Sequence, residues 1–387
     1  MGAVLVSAVY MRSGLTVLSG FVIEEFGISR SQFGWIFAVF AVSGTLMSPI
    51  MGSMVDGSTR RALFSVFGFG AAGTILAGLS PNIASLLLAA AVGGVALAGG
   101  NPITNRVIAE RIPLSIRGRA TGLKQSGPQI TMLVVGLFLP ALALALNWRW
   151  ALVAGVVVPV LGTLITMRMV QPDRVVIPRA HRRMPTSGER HTVTWLALTS
   201  FLMAMALASV QAFLPLYAQE EVAMSASVAG LMAALLGLGG LVGRIGWTHA
   251  EHRFSSRVTL LVTIPVGAAA ATGIIALATP DAQWMLWVGS FVVGFAMLAW
   301  HAVAWLFVIN TAHQQSIGRS SAIMQVGTFL GFGFGPPLTG YLVDRTGSYD
   351  LNWIVVMVFF LVVSVMAMRL RHYLALQTIE TVTKEER

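Results

Sequence analysis

The chain has 387 residues, of which 56% are hydrophobic and only 10% charged, against about 25% charged in typical soluble domains. With a mean hydropathy of +0.78, it carries more apolar surface than a soluble fold of this length can bury, and it holds no cysteine for disulfides or thiolate metal sites. The net charge of +10 does not mark a nucleic-acid binder, because Lys and Arg alternate with apolar runs instead of forming one patch.

The opening MGAVLVSAVYMRSG lacks the basic start and small-residue cleavage site of a secretory signal, and reads as a first membrane span. A spanning helix needs about 20 apolar residues. Twelve stretches qualify, at roughly 4–23, 32–51, 61–79, 83–104, 121–145, 148–169, 193–217, 226–247, 257–278, 283–309, 320–342 and 351–370. Turn chemistry separates several of them: Ser80–Asn82, Asn147–Trp148 and Thr279–Asp281. None alternates apolar and polar residues as a membrane strand would.

Basic residues set the orientation. One side holds only Arg30, Arg149 and Arg345, and Arg12 lies inside span 1; the other 21 of the 25 Lys and Arg fall on the opposite side. That skew predicts a multi-pass protein of the bacterial cytoplasmic (inner) membrane with both termini in the cytoplasm.

The chain also repeats itself. Gly118–Gly127 reads GRATGLKQSG and Gly318–Gly327 reads GRSSAIMQVG, the same Gly-Arg, Gln and Gly frame at the start of spans 5 and 11. LNW opens spans 6 and 12, at Leu146–Trp148 and Leu351–Trp353. Gly34 and Gly44 in span 2 match Gly230 and Gly240 in span 8. These echoes keep their order at offsets of 196 to 205, which predicts a duplicated six-helix unit. The expected organisation is a first bundle over 1–170, a cytoplasmic linker over 171–192, a second bundle over 193–372 and a tail over 373–387. Such lobes can rock about a central site and open it to one side at a time.

The loop after span 2, GSMVDGSTRR (Gly52–Arg61), resembles the signature of the major facilitator superfamily. Gly52, Asp56, Arg60 and Arg61 match in register, while Gly57 and Thr59 depart from it. Twelve spans, the 6+6 division, the basic central segment and GPPLTGYLVDRTGSY closing span 11 extend the resemblance over the whole chain. It implies an all-α membrane fold of two pseudo-symmetric six-helix bundles and a solute transporter. It also implies that Gly52 admits span 11 closely, that Asp56 meets the amino end of span 11, and that Arg60 and Arg61 hold the cytoplasmic loops. These four residues would latch the cytoplasmic side; alternatively Arg60 and Arg61 only enforce topology. In the second half His252 and Ser256 replace Asp56 and Arg60, so only Arg257 keeps that copy.

None of the fifteen acidic residues falls in the middle of a span, whereas Arg12 sits near the centre of span 1. A mid-bilayer Arg costs ~2.5–3.5 kcal/mol on insertion scales, so it needs a partner, and an anionic solute would serve. A shifted span that lets Arg12 snorkel is the alternative. Spans 1, 4, 7 and 10 line the cavity of the resembled fold. They offer Asn101, Asn105, Gln211, Trp300, His301 and Trp305, with Lys124, Gln125 and Gln325 at the starts of spans 5 and 11. The blander roles stay open: Lys124 as an interfacial anchor, the tryptophans as packing, His301 as an interhelical donor, and Gln125 and Gln325 as interhelical hydrogen-bonding groups.

The expected function is secondary transport of a small organic anion, by uniport or with protons, without a cofactor, by a monomer that binds no nucleic acid. A nucleotide-binding loop is not visible in the sequence, and neither is a catalytic set for intramembrane enzymology. A drug exporter of the same fold would favour a buried acid and paired glycines after Gly127–Pro128, where SGPQITM stands instead. A sensor that does not transport is the other alternative.

Overall fold

The computed structural model describes residues 2–113, 116–169, 187–250, 257–311 and 317–385. Linker residues 170–186 lie outside the described residues, with His252 and Ser256, and so do the side chains of Asp56, His301 and Trp305.

The first half runs α1 (Gly2–Val17), α2 (Ser19–Phe26), α3 (Arg30–Gly57), α4 (Thr59–Gly78), α5 (Ile83–Arg111), α6 (Arg117–Gln125), α7 (Gly127–Ala145), α8 (Trp148–Ala154) and α9 (Val157–Met169). The second runs α10 (Ser187–Glu220), α11 (Ala226–Ala250), α12 (Arg257–Ala276), α13 (Trp284–Thr311), α14 (Ile317–Thr346) and α15 (Asp350–Glu385). Among the described residues nine helices are long and apolar enough to cross a membrane, and the bent pair α1–α2 makes a tenth. The expected spans 10 and 11 fall on α13 and α14; in α13 the stretch Trp284–Leu298 is apolar but shorter.

Local chemistry explains the ends. Ser29 and Gln32 form a capping box before α3, and Asn82 with Ser85 forms one before α5. The Asn147 side chain accepts from the Trp150 N–H and caps α8. One crossing is bent: α1 and α2 meet at 66°. Spans 5 and 6 run on through short irregularities at Ser126 and at Gly155–Val156, where Ser126 and Gly155 keep right-handed helical backbone. Sequence hydropathy sees only the apolar run, so the bend is not predicted. Gly155 is packed onto the Tyr10 ring, an approach that leaves no room for a Cβ.

Connections alternate between two ends. The acidic end carries Glu24, Glu25, Glu220, Glu221, Asp281, Asp344 and Asp350; the basic end carries most Lys and Arg. Trp35, Trp150 and Trp284 are exposed near the acidic end, as an interfacial aromatic belt requires. Within the first lobe α5 packs on α3 and α4, and α1 on α7; within the second α14 packs on α10, and α12 on α13 and α15. Two seams join the lobes, α3 against α14 and α7 against α11.

Small residues make both seams. A Cβ on Gly34 would lie 2.7 Å from the backbone of Pro336 and Pro337, and one on Gly340 would lie 2.6 Å from the Arg30 carbonyl. On the second seam a Cβ on Gly136 would fall 2.6 Å from the Ala234 nitrogen. The glycine run of span 11 serves two faces: Gly327, Gly331 and Gly335 meet Ala197, Phe201 and Met205 of α10, whereas Gly333 meets Ala38 and Ala41 of α3. Beyond Ala41 the described glycines of α3 no longer touch α14. Gly44 meets Gly94 and Leu97 of α5, and a Cβ on Gly52 would meet nothing within 4 Å. The glycine contacts of the α3–α14 seam therefore lie over its acidic half.

Candidate functional site

Arg12 lies three turns into α1 and partly buried. Its Nη2 donates to Gln211 Oε1 of α10 at 3.1 Å, and its guanidinium stacks on the Phe332 ring of α14, 4.6 Å from the centroid. A first-lobe cation is thus held by two second-lobe groups, one a neutral amide and the other an aromatic face. Among the described residues no carboxylate pairs with it. Of its five N–H donors the amide takes one, so the guanidinium retains donors for a further acceptor.

A second polar cluster lies between α5 and α6. Lys124 is 2% exposed, too deep for the snorkelling anchor that its sequence position allows. Its Nζ donates to Asn101 Oδ1 at 3.4 Å, Thr104 Oγ1 at 2.9 Å and Asn105 Oδ1. Gln125 Nε2 donates to the same Asn101 oxygen at 3.2 Å. Thr104 was missed because its hydroxyl also back-bonds to the Gly100 carbonyl, the ordinary role of a helical threonine.

The two clusters are separate. Met11, next to Arg12, touches Gly93 of α5, while Lys124 meets residues 101–105 of that helix. Eight to twelve residues along a helix place Lys124 about 12–18 Å toward the basic end. The two clusters therefore stand at different levels along α5.

The remaining candidates are placed as follows. Trp300 is buried and its Nε1 donates to the Leu261 carbonyl of α12 at 3.4 Å, so this indole packs within the second lobe. Gln325 is partly buried on α14. Arg60 stacks on Phe64, and Arg61 is exposed with its backbone N–H on the Ser58 cap. Gly52 is free of α14 in this conformation. The fold brings Arg244 of α11 to α7. With the Gln129 amide oxygen turned toward it, Arg244 Nη2 donates to that oxygen at 3.2 Å, while the Gln129 nitrogen donates to the Gln125 carbonyl at 2.7 Å.

Sequence reading missed the clasp at the acidic end. Arg30 makes a two-pronged ion pair with Glu220, 2.9 Å from Nη2 to Oε1 and 3.2 Å from Nε to Oε2, and Tyr349 Oη donates to Glu220 at 2.6 Å. The Asp344 carboxylate accepts from the Arg30 and Ser31 backbone N–H groups at 3.0 and 2.9 Å, capping α3 from the other lobe. Partial burial raises the Asp344 carboxyl pKa, but hydrogen bonds from Ser31, Ser29 and the Arg30 backbone outweigh it and leave the group below its ordinary 3.8. A depressed carboxyl stabilises closure above its ordinary value and loses that contribution as pH falls through the depressed one. Closure measured between labels on the two lobes is therefore expected to be flat near neutrality and to weaken only as pH drops through and below 3.8. Asp344→Asn should remove that component; an unchanged acid profile in the variant would refute the assignment.

Two six-helix lobes joined by glycine seams, clasped at one end and sharing a buried cation across the membrane's middle, define an alternating-access membrane transporter. The sequence pattern of the Major Facilitator Superfamily matches residues 1–326, and the chain belongs to that family. It is 24% identical to the D-galactonate transporter of Escherichia coli O6:H1 over 375 residues, which cover 87% of this chain and 86% of the relative. Identity is 26% over 357 residues with the multidrug resistance protein MdtG of Dickeya zeae, covering 86% and 84%. The fold is similar to the crystal structure of a bacterial homolog of the human lysosomal transporter Spinster in an inward-facing and unoccupied conformation. That match has a TM-score of 0.73 at 18% identity, covering 95% of each chain.

Proposed function

We propose that this transporter carries a small organic anion with a carboxylate, and that the Arg12–Gln211–Phe332 group receives it. One observation carries the reading: a mid-membrane guanidinium is satisfied across the lobes by a neutral amide and an aromatic ring, with no acid paired to it among the described residues. A carboxylate that displaces Gln211 supplies the missing charge and a bidentate match. The similarity to a D-galactonate transporter supports this class, and the hydroxyls of a sugar acid suit neutral amide partners. By the distribution of Lys and Arg, the basic end and both termini face the cytoplasm of a bacterial inner membrane. The acidic-end clasp then seals the outside. Uniport and proton symport both fit, and the protein is taken to act as a monomer.

The second reading, export of a cationic drug, is favoured by the similarity to MdtG. The site chemistry opposes it: Arg12 and Lys124 would repel a cation.

Reconstituted protein tests the choice. Labelled D-galactonate is expected to enter sealed proteoliposomes down its gradient, with competition by other small carboxylates and none by tetraphenylphosphonium. Movement of the phosphonium cation alone would reverse the assignment.

A further inference from the structure

We propose that Gln211 stands in for the solute's carboxylate whenever the site is empty. This substitution lets the unloaded transporter cross between its two open states, so that the chain carries out net transport and not only exchange. The inference rests on the Arg12 reading above and adds to it the return half of the cycle.

Alternating access closes the site to both ends in every crossing, loaded or empty. A loaded crossing meets Arg12 with an anion. An empty crossing would leave a guanidinium unpaired in a closed space, a costly state for a buried charge. Here the opposite lobe already supplies acceptors: Gln211 Oε1 at 3.1 Å and the Phe332 ring, 4.6 Å from guanidinium to centroid. Both are held in place. Gln211 is 9% exposed in α10. Phe332 lies on α14 between Gly331, which packs on Phe201 of α10, and Gly333, which packs on Ala38 and Ala41 of α3. The Arg12 contact therefore stands beside the contact between the lobes, where rigid-body rocking displaces groups least.

The residue type fits the task. An amide oxygen is a neutral acceptor, strong enough to hold Arg12 yet weak enough to yield to a carboxylate, whose bond to arginine is charge-assisted on both sides. Once displaced, the same side chain offers its N–H groups to the incoming carboxylate, since an amide both donates and accepts. A carboxylate in place of this amide would do neither: it would pair fully with Arg12 and repel the solute.

The chain holds no cysteine, so Leu79→Cys and Leu277→Cys place one fluorophore on each lobe at exposed acidic-end positions. Single-molecule energy transfer in nanodiscs without solute reads how often the empty full-length protein switches. Labelled D-galactonate in proteoliposomes, without the labels, compares net uptake into empty vesicles with exchange against internal galactonate. Gln211→Ala is expected to slow empty switching and net uptake by about 5- to 10-fold, the effect of one lost hydrogen bond, while exchange is kept. Gln211→Glu should do the reverse, keeping empty switching and losing exchange. Empty switching at the unaltered rate in Gln211→Ala overturns the proposal. Equal loss of exchange and net uptake in that variant also overturns it and leaves Gln211 as a solute ligand only. Galactonate that moves in neither mode, with empty switching following the expected pattern, counts against the carboxylate reading at Arg12 and supports the role of Gln211 in the empty crossing.

Discussion

Replacing Arg12 with glutamine is expected to cut solute uptake by about 10- to 100-fold while the protein still inserts and remains monodisperse. A hydrogen bond to a charged group contributes about 1.5–3 kcal/mol, and each 1.4 kcal/mol is about tenfold. Insertion survives because the substitution removes a buried cation, itself a cost to the fold. Lysine should not rescue the loss. Its compact ammonium cannot both lie flat on Phe332 and hold a carboxylate at two points, as the planar guanidinium does. Gln211→Ala should be milder, since it leaves the charge in place and removes only the group that fills the site between solutes. Initial rates in proteoliposomes, normalised to inserted protein, decide this. Uptake by Arg12→Gln at the level of the unaltered chain would remove Arg12 from the site.

The second large effect is expected at Gly34. Its hydrogen faces the backbone of Pro336 and Pro337, so Gly34→Val drives carbon into main chain that cannot rotate away. Overpacking of this kind costs about 1–3 kcal/mol, and here the cost falls on the conformation whose acidic end is closed. A population shift of about 5- to 150-fold toward opening follows from that energy. Labels at exposed positions 79 and 277, at the acidic ends of α4 and α12, should move apart. Gly52→Ala, a change at a position with open space around it, should leave this distance unaltered. Equal distances in Gly34→Val and the unaltered chain would mean that the seam yields elsewhere.

The sequence revealed what depends on composition and period. Twelve apolar runs predicted the crossings, and the echoes at offsets near 200 predicted the two lobes. The break at Asn147–Trp148 was legible as turn chemistry, and there the Asn147 side chain caps α8 through the Trp150 N–H. Four of the polar candidates, Asn101, Asn105, Lys124 and Gln125, do come together: two asparagines one turn apart on α5 face a consecutive Lys-Gln pair at the end of α6.

What escaped notice depends on pairing across long separations. Arg30 and Glu220 are 190 residues apart, and each looks alone like a loop charge that sets topology. Asp344 binds an amino end that belongs to the other lobe, and nothing local announces that. Arg244 meets Gln129 across the seam, and hydropathy cannot tell a lipid-facing helix end from a seam. Trp300, offered by sequence both as a cavity residue and as packing, turns its indole onto α12.

The glycine contact between α3 and α14 has a mechanical meaning. Its last member toward the basic end is Gly333 against Ala38 and Ala41, and α3 continues to Gly57, so about 16 residues, or about 24 Å, form an arm beyond that fulcrum, carried with the first lobe by Gly44 on α5 and by buried Met51 and Val55. A tilt of 10° about that point would move its tip by about 4 Å, on the order of a carboxylate's width, with every helix staying intact. Gating on this geometry is a matter of leverage rather than of unfolding, and the effort needed is set by whatever holds the short arm still.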